Sequence, residues 1–313
     1  MENIKLTKKF IDELSQQLKS KIILYKRFKS GRANPVFLLK LANKKEYVLK
    51  LYLEWKIKEY KNDISIFNLF SNNKLVPNRL FNGNWNNGKY AIITKINGKN
   101  MEEINLKKIP QRKINKIFFD IGKLVAQLHS VRNTKFGRIY SPKFKSWKSF
   151  LQDLNKKYLR KLEISEFAYL RDYIKNYLDK NINLIKDVKK GSFIHDDVQL
   201  QNILIDKDKL AGIIDFDRSF FGDPMYELPY CETGFYRFIS KKNRPIMLKS
   251  FYKGYLSIRK LDKKRYDLVE DYYYVCKYLR HMIGFKSLKK ILPKKVSNEI
   301  KTFFISEVKR IIK

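Results

Sequence analysis

The sequence has little of what builds metal centres or covalent frameworks. Its 313 residues include two cysteines, Cys231 and Cys276, and three histidines, His129, His195 and His281. Two thiols cannot make a disulfide framework or a four-cysteine zinc site, and three scattered imidazoles do not make a His-rich centre. The 12 glycines and 8 prolines are too few for a collagen-like or linker-like chain, so each glycine is expected where the backbone requires one. Acids are scarce as well, with 31 Asp+Glu against 68 Lys+Arg, a formal net charge of +37. No uncharged apolar run approaches the ~18 residues of a membrane span. The first twenty residues are charged throughout, without the apolar core of a secretion signal. The expectation is a cytoplasmic protein with no membrane span.

What is present is apolar and aromatic. Hydrophobic residues make up 44% of the chain, with 20 Tyr and 22 Phe, enough to bury a real core and to exclude global disorder. The length fits two domains or one bilobal unit. The positive charge is carried by 53 Lys and only 15 Arg, and the lysines are scattered. Lysine is a hydrated point charge, whereas arginine is the planar fork favoured in phosphate and base recognition. The charge therefore reads as a lysine-biased, solvated surface, and no nucleic-acid partner is expected from it. One stretch escapes the bias. Residues 191–232 hold nine acids and three bases, a local net of −6. Clustered carboxylates on so basic a chain point to a site for a metal or a cationic ligand.

Apolar periodicity organises the rest. Residues 6–18 read as a helix, 22–28, 36–41 and 47–53 as strands, and 56–70 as a second helix. Strands at 79–81 and 90–96 flank an Asn/Gly-rich turn at 82–88. This set makes an antiparallel sheet with a helix against it. After Asn97-Gly98 helical patterns dominate, at 114–129, 150–158, 167–178, 182–188 and through 240–313. Short strands at 192–194, 203–205 and 211–214 interrupt them. The expected division is a small lobe at 1–97 and a helical lobe at 98–313.

The informative block is His195-Asp196-Asp197-Val198-Gln199-Leu200-Gln201-Asn202, followed by Ile203-Leu204-Ile205 and then Ile214-Asp215-Phe216-Asp217. An Asp five residues before an Asn shares one tight loop with it. Asp197 can accept a proton from a substrate hydroxyl, and the Asn202 amide oxygen can bind a divalent cation. Asp215 arrives at the end of an apolar strand. One Asn and one Asp, completed by phosphate oxygens and water, form a plausible donor set for Mg²⁺. Phosphoryl transfer needs mainly positioning and charge neutralisation, which such a set supplies.

These residues resemble the aminoglycoside phosphotransferase and choline kinase family. That family reads His-Gly-Asp-x4-Asn, then Ile-Asp-Phe or Ile-Asp-Trp, then Gly-Asp-Pro and an acid; here stand His195-Asp196-Asp197, Asn202, Ile214-Asp215-Phe216, Gly222-Asp223-Pro224 and Glu227. Upstream, Gly31-Arg32-Ala33-Asn34 is similar to its phosphate-side turn and Tyr47-Val48-Leu49-Lys50 to its strand bearing the ATP-phosphate lysine. Leu75-Val76-Pro77 and Leu128-His129 are similar to its later landmarks. The resemblance implies an α+β, bilobal, protein-kinase-like fold with ATP between the lobes and its adenine edge near Thr94 to Ile96. It implies phosphate contacts from Gly31, Asn34 and Lys50, Mg²⁺ on Asn202 and Asp215, and Asp197 as the base. The implied reaction transfers the ATP γ-phosphate to a hydroxyl of a small molecule such as an aminoglycoside, choline, ethanolamine or a sugar.

Two departures stand out. Asp196 replaces the family's common Gly, and Leu200-Gln201 a common Pro-Gly. The carboxylate partner of Lys50, usually Glu, is either Asp63 or Glu59. Asp217 is either a second metal-side carboxylate or a solvated loop acid. His195, His129, Asp223 and Glu227 are expected to hold loops, and both cysteines and Tyr272-Tyr273-Tyr274 to pack. A non-catalytic, polyanion-binding scaffold on the same fold would explain the charge but not the set Lys50, Asp197, Asn202 and Asp215. A protein kinase would need a Gly-x-Gly-x-x-Gly loop and an Ala-Pro-Glu, and neither is present.

Overall fold

The structure is a computed structural model that describes residues 4–28, 34–86, 88–236, 243–290 and 292–313. In chain order its elements are α1 (Lys8–Gln17), β1 (Ile22–Arg27), β2 (Val36–Leu41), β3 (Glu46–Tyr52), α2 (Ile57–Leu69), β4 (Arg79–Trp85), β5 (Gly88–Thr94) and β6 (Lys99–Asn100). There follow α3 (Gln111–Ser130), β7 (Arg132–Asn133), β8 (Gly137–Arg138), α4 (Trp147–Leu162), α5 (Arg171–Asn181) and β9 (Gly191–Ile194). The last are β10 (Ile203–Asp206), β11 (Lys209–Ile213), β12 (Phe220–Gly222), α6 (Leu228–Tyr236), α7 (Arg244–Leu256), α8 (Lys263–Lys289) and α9 (Lys294–Ile312). They form two compact units. One comprises residues 1–117 and 200–219, the other 118–199 and 220–313.

In the first unit an antiparallel sheet runs in the order β1-β2-β3-β5-β4. Its side chains alternate between faces, as the two-residue strand period requires. Leu49 and Leu51 of β3 join Phe37, Leu39, Tyr90, Ile92 and the α1 residues Phe10 and Leu14 in one core. Tyr52 of β3, with Ala91, Ile93 and the α2 residue Phe67, builds a second core that takes in Val48, Tyr60 and Ile64. Lys50 lies in phase with Val48 and Tyr52, so the pleat alone carries it to the α2 side. A second sheet, β11-β10-β6, belongs to the same unit.

The second unit is mainly helical, with a small sheet in the order β7-β9-β12-β8. Helix α8 packs against α4, α5, α6 and α9. Its Tyr273 meets an aromatic cluster of Trp147, Phe220 and Tyr226. The Trp147 indole N–H donates to the Tyr273 hydroxyl at 3.0 Å. No helix among the described residues is long and apolar enough to cross a membrane.

The expected α+β, kinase-like architecture is present, and the differences are local. The Asn/Gly-rich segment at 82–88 is not a wide turn: β4 continues to the buried Trp85, β5 begins at Gly88, and Asn86 takes φ +46°. The expected helix at 182–188 is a short 3-10 turn, Ile182–Ile185. The one-residue slip between the β10 and β11 registers at Leu204 and Ile205 and the two-residue strands β6, β7 and β8 carry no periodicity long enough to read from sequence.

Two glycines mark where helices α3 and α7 touch. A Cβ on Gly254 would stand 1.9 Å from the Phe119 carbonyl oxygen, and one on Gly122 2.0 Å from that of Phe251. Neither neighbour can yield, because both are backbone. Gly254→Ala should therefore lower stability by about 1–3 kcal/mol or more, read as a lower urea midpoint at unchanged slope. An unchanged midpoint would show that the helices separate freely.

Candidate active site

Lys50 is the centre of the first unit's polar interior. Only 9% of it is exposed. Its Nζ donates to Asp63 Oδ2 at 2.7 Å and to Asp217 Oδ1 at 2.5 Å. The small cross-strand neighbour Ala91 leaves room for α2 to bring a carboxylate as short as aspartate within reach. Of the two acids open from sequence, Asp63 makes this pair. Glu59 instead receives Lys56 and the Asn34 side-chain amide. Tyr52 Oη also donates to Asp63 Oδ2, at 2.6 Å. The other Asp63 oxygen is buried without a hydrogen bond.

The charges respond accordingly. Burial alone would weaken the Lys50 ammonium, but Asp217 and Asp63 outweigh it and hold its pKa well above the ordinary lysine value. Burial pushes the Asp63 carboxyl up to about 6, against the pull of Lys50. At Asp217 burial acts in the same direction, yet Lys50 prevails and the pKa is lowered. Asp217 is thus no solvated loop acid: it meets both Lys50 and, at 3.3 Å, the Asn34 amide.

Asn202 and Asp215 also belong to this unit. The β10–β11 pairing ends with the Ile214 N–H donating to the Asn202 carbonyl at 3.0 Å, which sets Asp215 one residue from Asn202's cross-strand neighbour. Asn202 is buried, whereas Asp215 is exposed and takes φ +67°, a left-handed conformation that aspartate tolerates better than most residues. Among the described residues no three His, Cys, Asp or Glu side chains are grouped to hold a metal. One amide and one carboxylate oxygen fit a hard cation that brings its remaining ligands as phosphate oxygens and water. Thr94 closes β5, its N–H donating to the Asn78 carbonyl at 2.8 Å while its hydroxyl accepts from the Asn78 N–H at 2.8 Å. Ile96 follows and packs where Gly212 has no side chain: a Cβ there would stand 2.7 Å from its Cδ1. Gly31 lies outside the described residues.

In the second unit Asp197 follows β9. Three donors converge on its Oδ1: Gln199 Nε2 at 2.7 Å, Tyr230 Oη at 2.5 Å and Arg280 Nη2 at 2.9 Å. The loop backbone is fixed by Glu227, which accepts the His195 N–H at 3.1 Å and the Asp196 N–H at 2.5 Å, and is itself bound by His129 Nε2 at 2.9 Å. The other His129 nitrogen meets Tyr255 Oη at 2.9 Å. His195 accepts the Asp197 N–H on Nδ1 at 3.2 Å. The two histidines therefore hold structure. Asp223 is fully buried, bonded by Tyr273 Oη at 2.6 Å and paired with Arg265.

A family model described as "Phosphotransferase enzyme family" matches residues 25–265. The chain belongs to that family. No curated protein matches it. Among solved structures, a thermostable mutant of the aminoglycoside phosphotransferase APH(4)-Ia shares 14% identity at a TM-score of 0.67, over 96% of this chain and 98% of that one. The gentamicin complex of APH(2")-IIa shares 17% identity at 0.65, over 97% and 96%. A protein from Ralstonia eutropha JMP134 described as a "putative aminoglycoside phosphotransferase" shares 12% identity at a TM-score of 0.68, over 96% of each chain. At these identities the structures establish the fold alone, and that fold is the kinase-like one expected.

Against the family pattern, Asp196 is the notable departure. It sits at φ +63°, the left-handed region where glycine is at ease. It is held there by two cations from one face of α8. Lys277 Nζ meets its Oδ1 at 2.6 Å and Arg280 Nη1 its Oδ2 at 2.6 Å. Lys277 is wholly buried, its ammonium 3.8 Å from the Tyr226 ring centroid and 4.5 Å from that of Tyr230. Burial lowers its pKa, partly offset by Asp196. Lys277, Arg280 and Tyr230 escaped the sequence reading. The only signal was a cation pair three residues apart inside a helix of buried aromatics, one lysine among 53.

Two outcomes follow from these charges. Removing one member of a buried pair costs about 3–5 kcal/mol, so Lys277→Met should be strongly destabilised in urea. Asp196→Gly combined with Lys277→Met should recover most of that loss, since glycine suits the backbone and no charge is left alone; failure to recover would mean that the pair does more than replace a glycine. Asp63, with its folded pKa near 6 against an ordinary 3.8, holds more protons folded than unfolded between those values. Its contribution to stability must fall as pH rises from about 4 to about 6. The stability of the wild type relative to Asp63→Asn, from urea melts across that range, should decline; a rise would show Lys50 governing its ionisation.

Proposed function

We propose that this phosphotransferase moves the γ-phosphate of ATP to a hydroxyl of a small molecule, with Asp197 as the base. The observation that carries the reading is that each unit holds one prepared charge. Lys50 is an ammonium kept charged in a buried setting, suited to nucleotide phosphates. Asp197 is a carboxylate fixed by three donors on one oxygen. In the reaction the bond from the γ-phosphorus to the ADP oxygen breaks and one to the acceptor oxygen forms. The acceptor's proton passes to Asp197. Lys50 and Asn34 are assigned to the phosphates, with Gly31 in the same turn, and Asp63 to positioning Lys50. Thr94 and Ile96 are assigned to the adenine edge. Asn202 and Asp215 would hold Mg²⁺, which neutralises phosphate charge when bound. The nucleotide roles fall to residues 1–97 and the acceptor to the helical remainder, in a protein acting in the cytoplasm. ADP and AMP-PNP complexes of APH(4)-Ia and an ADP complex of APH(2'')-Ib support a nucleotide donor by analogy.

A scaffold that binds polyanions would account for the surface charge but leaves the Lys50–Asp63 and Asp197–Arg280 geometry without a purpose. The test is acceptor-dependent ADP release from Mg·ATP. Asp197→Ala should lose about 10²-fold or more in kcat while nucleotide affinity is unchanged. Retained turnover in that variant would remove Asp197 from the role.

A further inference from the structure

His129 and His195 hold the loop of Asp197; the third histidine, His281, lies in a stack of rings. It is half-buried on α8, one position after Arg280 and four after Lys277, so the three share one side of the helix. All three meet the same ring. His281 stacks on Tyr230 with 5.2 Å between ring centroids and 7° between planes. Lys277 Nζ lies 4.5 Å and the Arg280 guanidinium carbon 4.6 Å from the Tyr230 centroid. His281 stacks in turn on the buried Phe304 of α9, at 5.4 Å and 14°. Phe285 meets Phe304 edge-on at 6.4 Å. Three nearly parallel rings thus run from α9 through α8 to α6.

The last ring ends on Asp197. Tyr230 Oη donates to Asp197 Oδ1 at 2.5 Å, beside the Gln199 amide and the Arg280 guanidinium. The three donors are placed in different ways. Gln199 belongs to the loop itself. Arg280 is fixed by a second contact, from Nη1 to Asp196 Oδ2 at 2.6 Å. The Tyr230 hydroxyl stands at the end of a rigid ring with two side-chain torsions, so its place is the place of the ring. We infer that His281 is a positioning residue for Asp197: it fixes the plane of the Tyr230 ring, and Phe304 backs it, which makes α9 part of the support of the base. The inference rests on the reading of Asp197 as the base. Offset-stacked rings fix a plane as well as a distance. A branched aliphatic side chain of similar bulk fills the same space and fixes no plane. Packing at this position needs volume; positioning needs a flat ring.

The experiment uses the full chain. The carboxyl-carbon NMR resonance of Asp197 is followed at fixed pH and identified by its loss in Asp197→Asn. Tyr230→Phe removes the donor and should displace the resonance. His281→Leu should displace it in the same direction, and His281→Phe should return it to the wild-type position. In a Tyr230→Phe background His281→Leu should add nothing, because both act through one hydroxyl. Phe304→Leu removes the flat ring behind His281 and should displace the resonance as His281→Leu does, to a smaller extent. Turnover is read in parallel as ADP release from Mg·ATP with gentamicin, choline, glucose and inositol offered together. His281→Leu should lower kcat by about tenfold or more at unchanged KM for ATP, and His281→Phe should restore it. A resonance left in place by His281→Leu, or by Phe304→Leu where the first variant does not fold, would overturn the inference. Equal displacement by Leu and Phe at position 281 would do the same, since it marks a packing role. So would an unchanged kcat in His281→Leu where Asp197→Ala has lost turnover. Failure of the base reading looks different: the resonance moves in the stated order, but Asp197→Ala turns over like the wild type or no acceptor releases ADP.

Discussion

A charge removed from water must meet its opposite or lose its ionisation, and in this chain that requirement fixes the candidate groups of each unit. An unpaired buried ion costs several kcal/mol, comparable to the whole stability of a domain. Lys50 therefore cannot occupy the α2 face of its sheet unless α2 delivers Asp63 and the β11 exit delivers Asp217. Asp196 cannot occupy a glycine's conformation in a dry loop unless α8 delivers Lys277 and Arg280. In each case the partner comes from a distant part of the sequence, so the pair also pins the fold. The geometry of the proposed catalytic groups is a by-product of charges that had to be matched for the chain to fold.

This explains what could be read from sequence and what could not. The pleat of β3 is a period-two pattern, visible in Tyr47-Val48-Leu49-Lys50, and it places Lys50 opposite Leu49 and Leu51 without any coordinates. The spacing of Asp197, Asn202 and Asp215 along the chain is likewise a local property, because two short strands and their turns fix it. The helices of the second unit showed themselves through apolar stripes, to within a few residues at most ends. Element boundaries slipped where a strand was written in Asn and Gly, as at 82–85, because tertiary packing of Trp85 and pairing with β5 override weak local preference there.

Partner choice was opaque for a different reason. Whether Asp63 or Glu59 meets Lys50 depends on how α2 lies on the sheet, which involves residues on another strand, such as Ala91 opposite Lys50. Lys277 and Arg280 were hidden by composition: in a chain with 53 lysines a functional cation looks like the background. The charge of a residue is in the sequence, but its burial is not, and burial is what turns a charge into a constraint. His129 and Glu227 illustrate the converse. Expected from sequence to hold structure, both are fully enclosed and tied to each other.

The acidic stretch shows why net charge counted along a chain is a poor guide to recognition. Nine acids against three bases over residues 191–232 suggest a negative surface. Those acids divide between two units. In the second unit the partners of Asp196, Asp223 and Glu227 come from α8 and α3, between 42 and 98 positions away, separations that no local window captures. A ligand responds to the field left after those pairings, not to the count before them. Around Asp197 those pairings set Lys277 and Arg280 of α8 against Asp196 and Asp197, with Tyr230 and Gln199 as further donors. Asp197 keeps its place through Arg280, Tyr230 and Gln199, and a fixed position is the condition under which the proposed base could act on a hydroxyl.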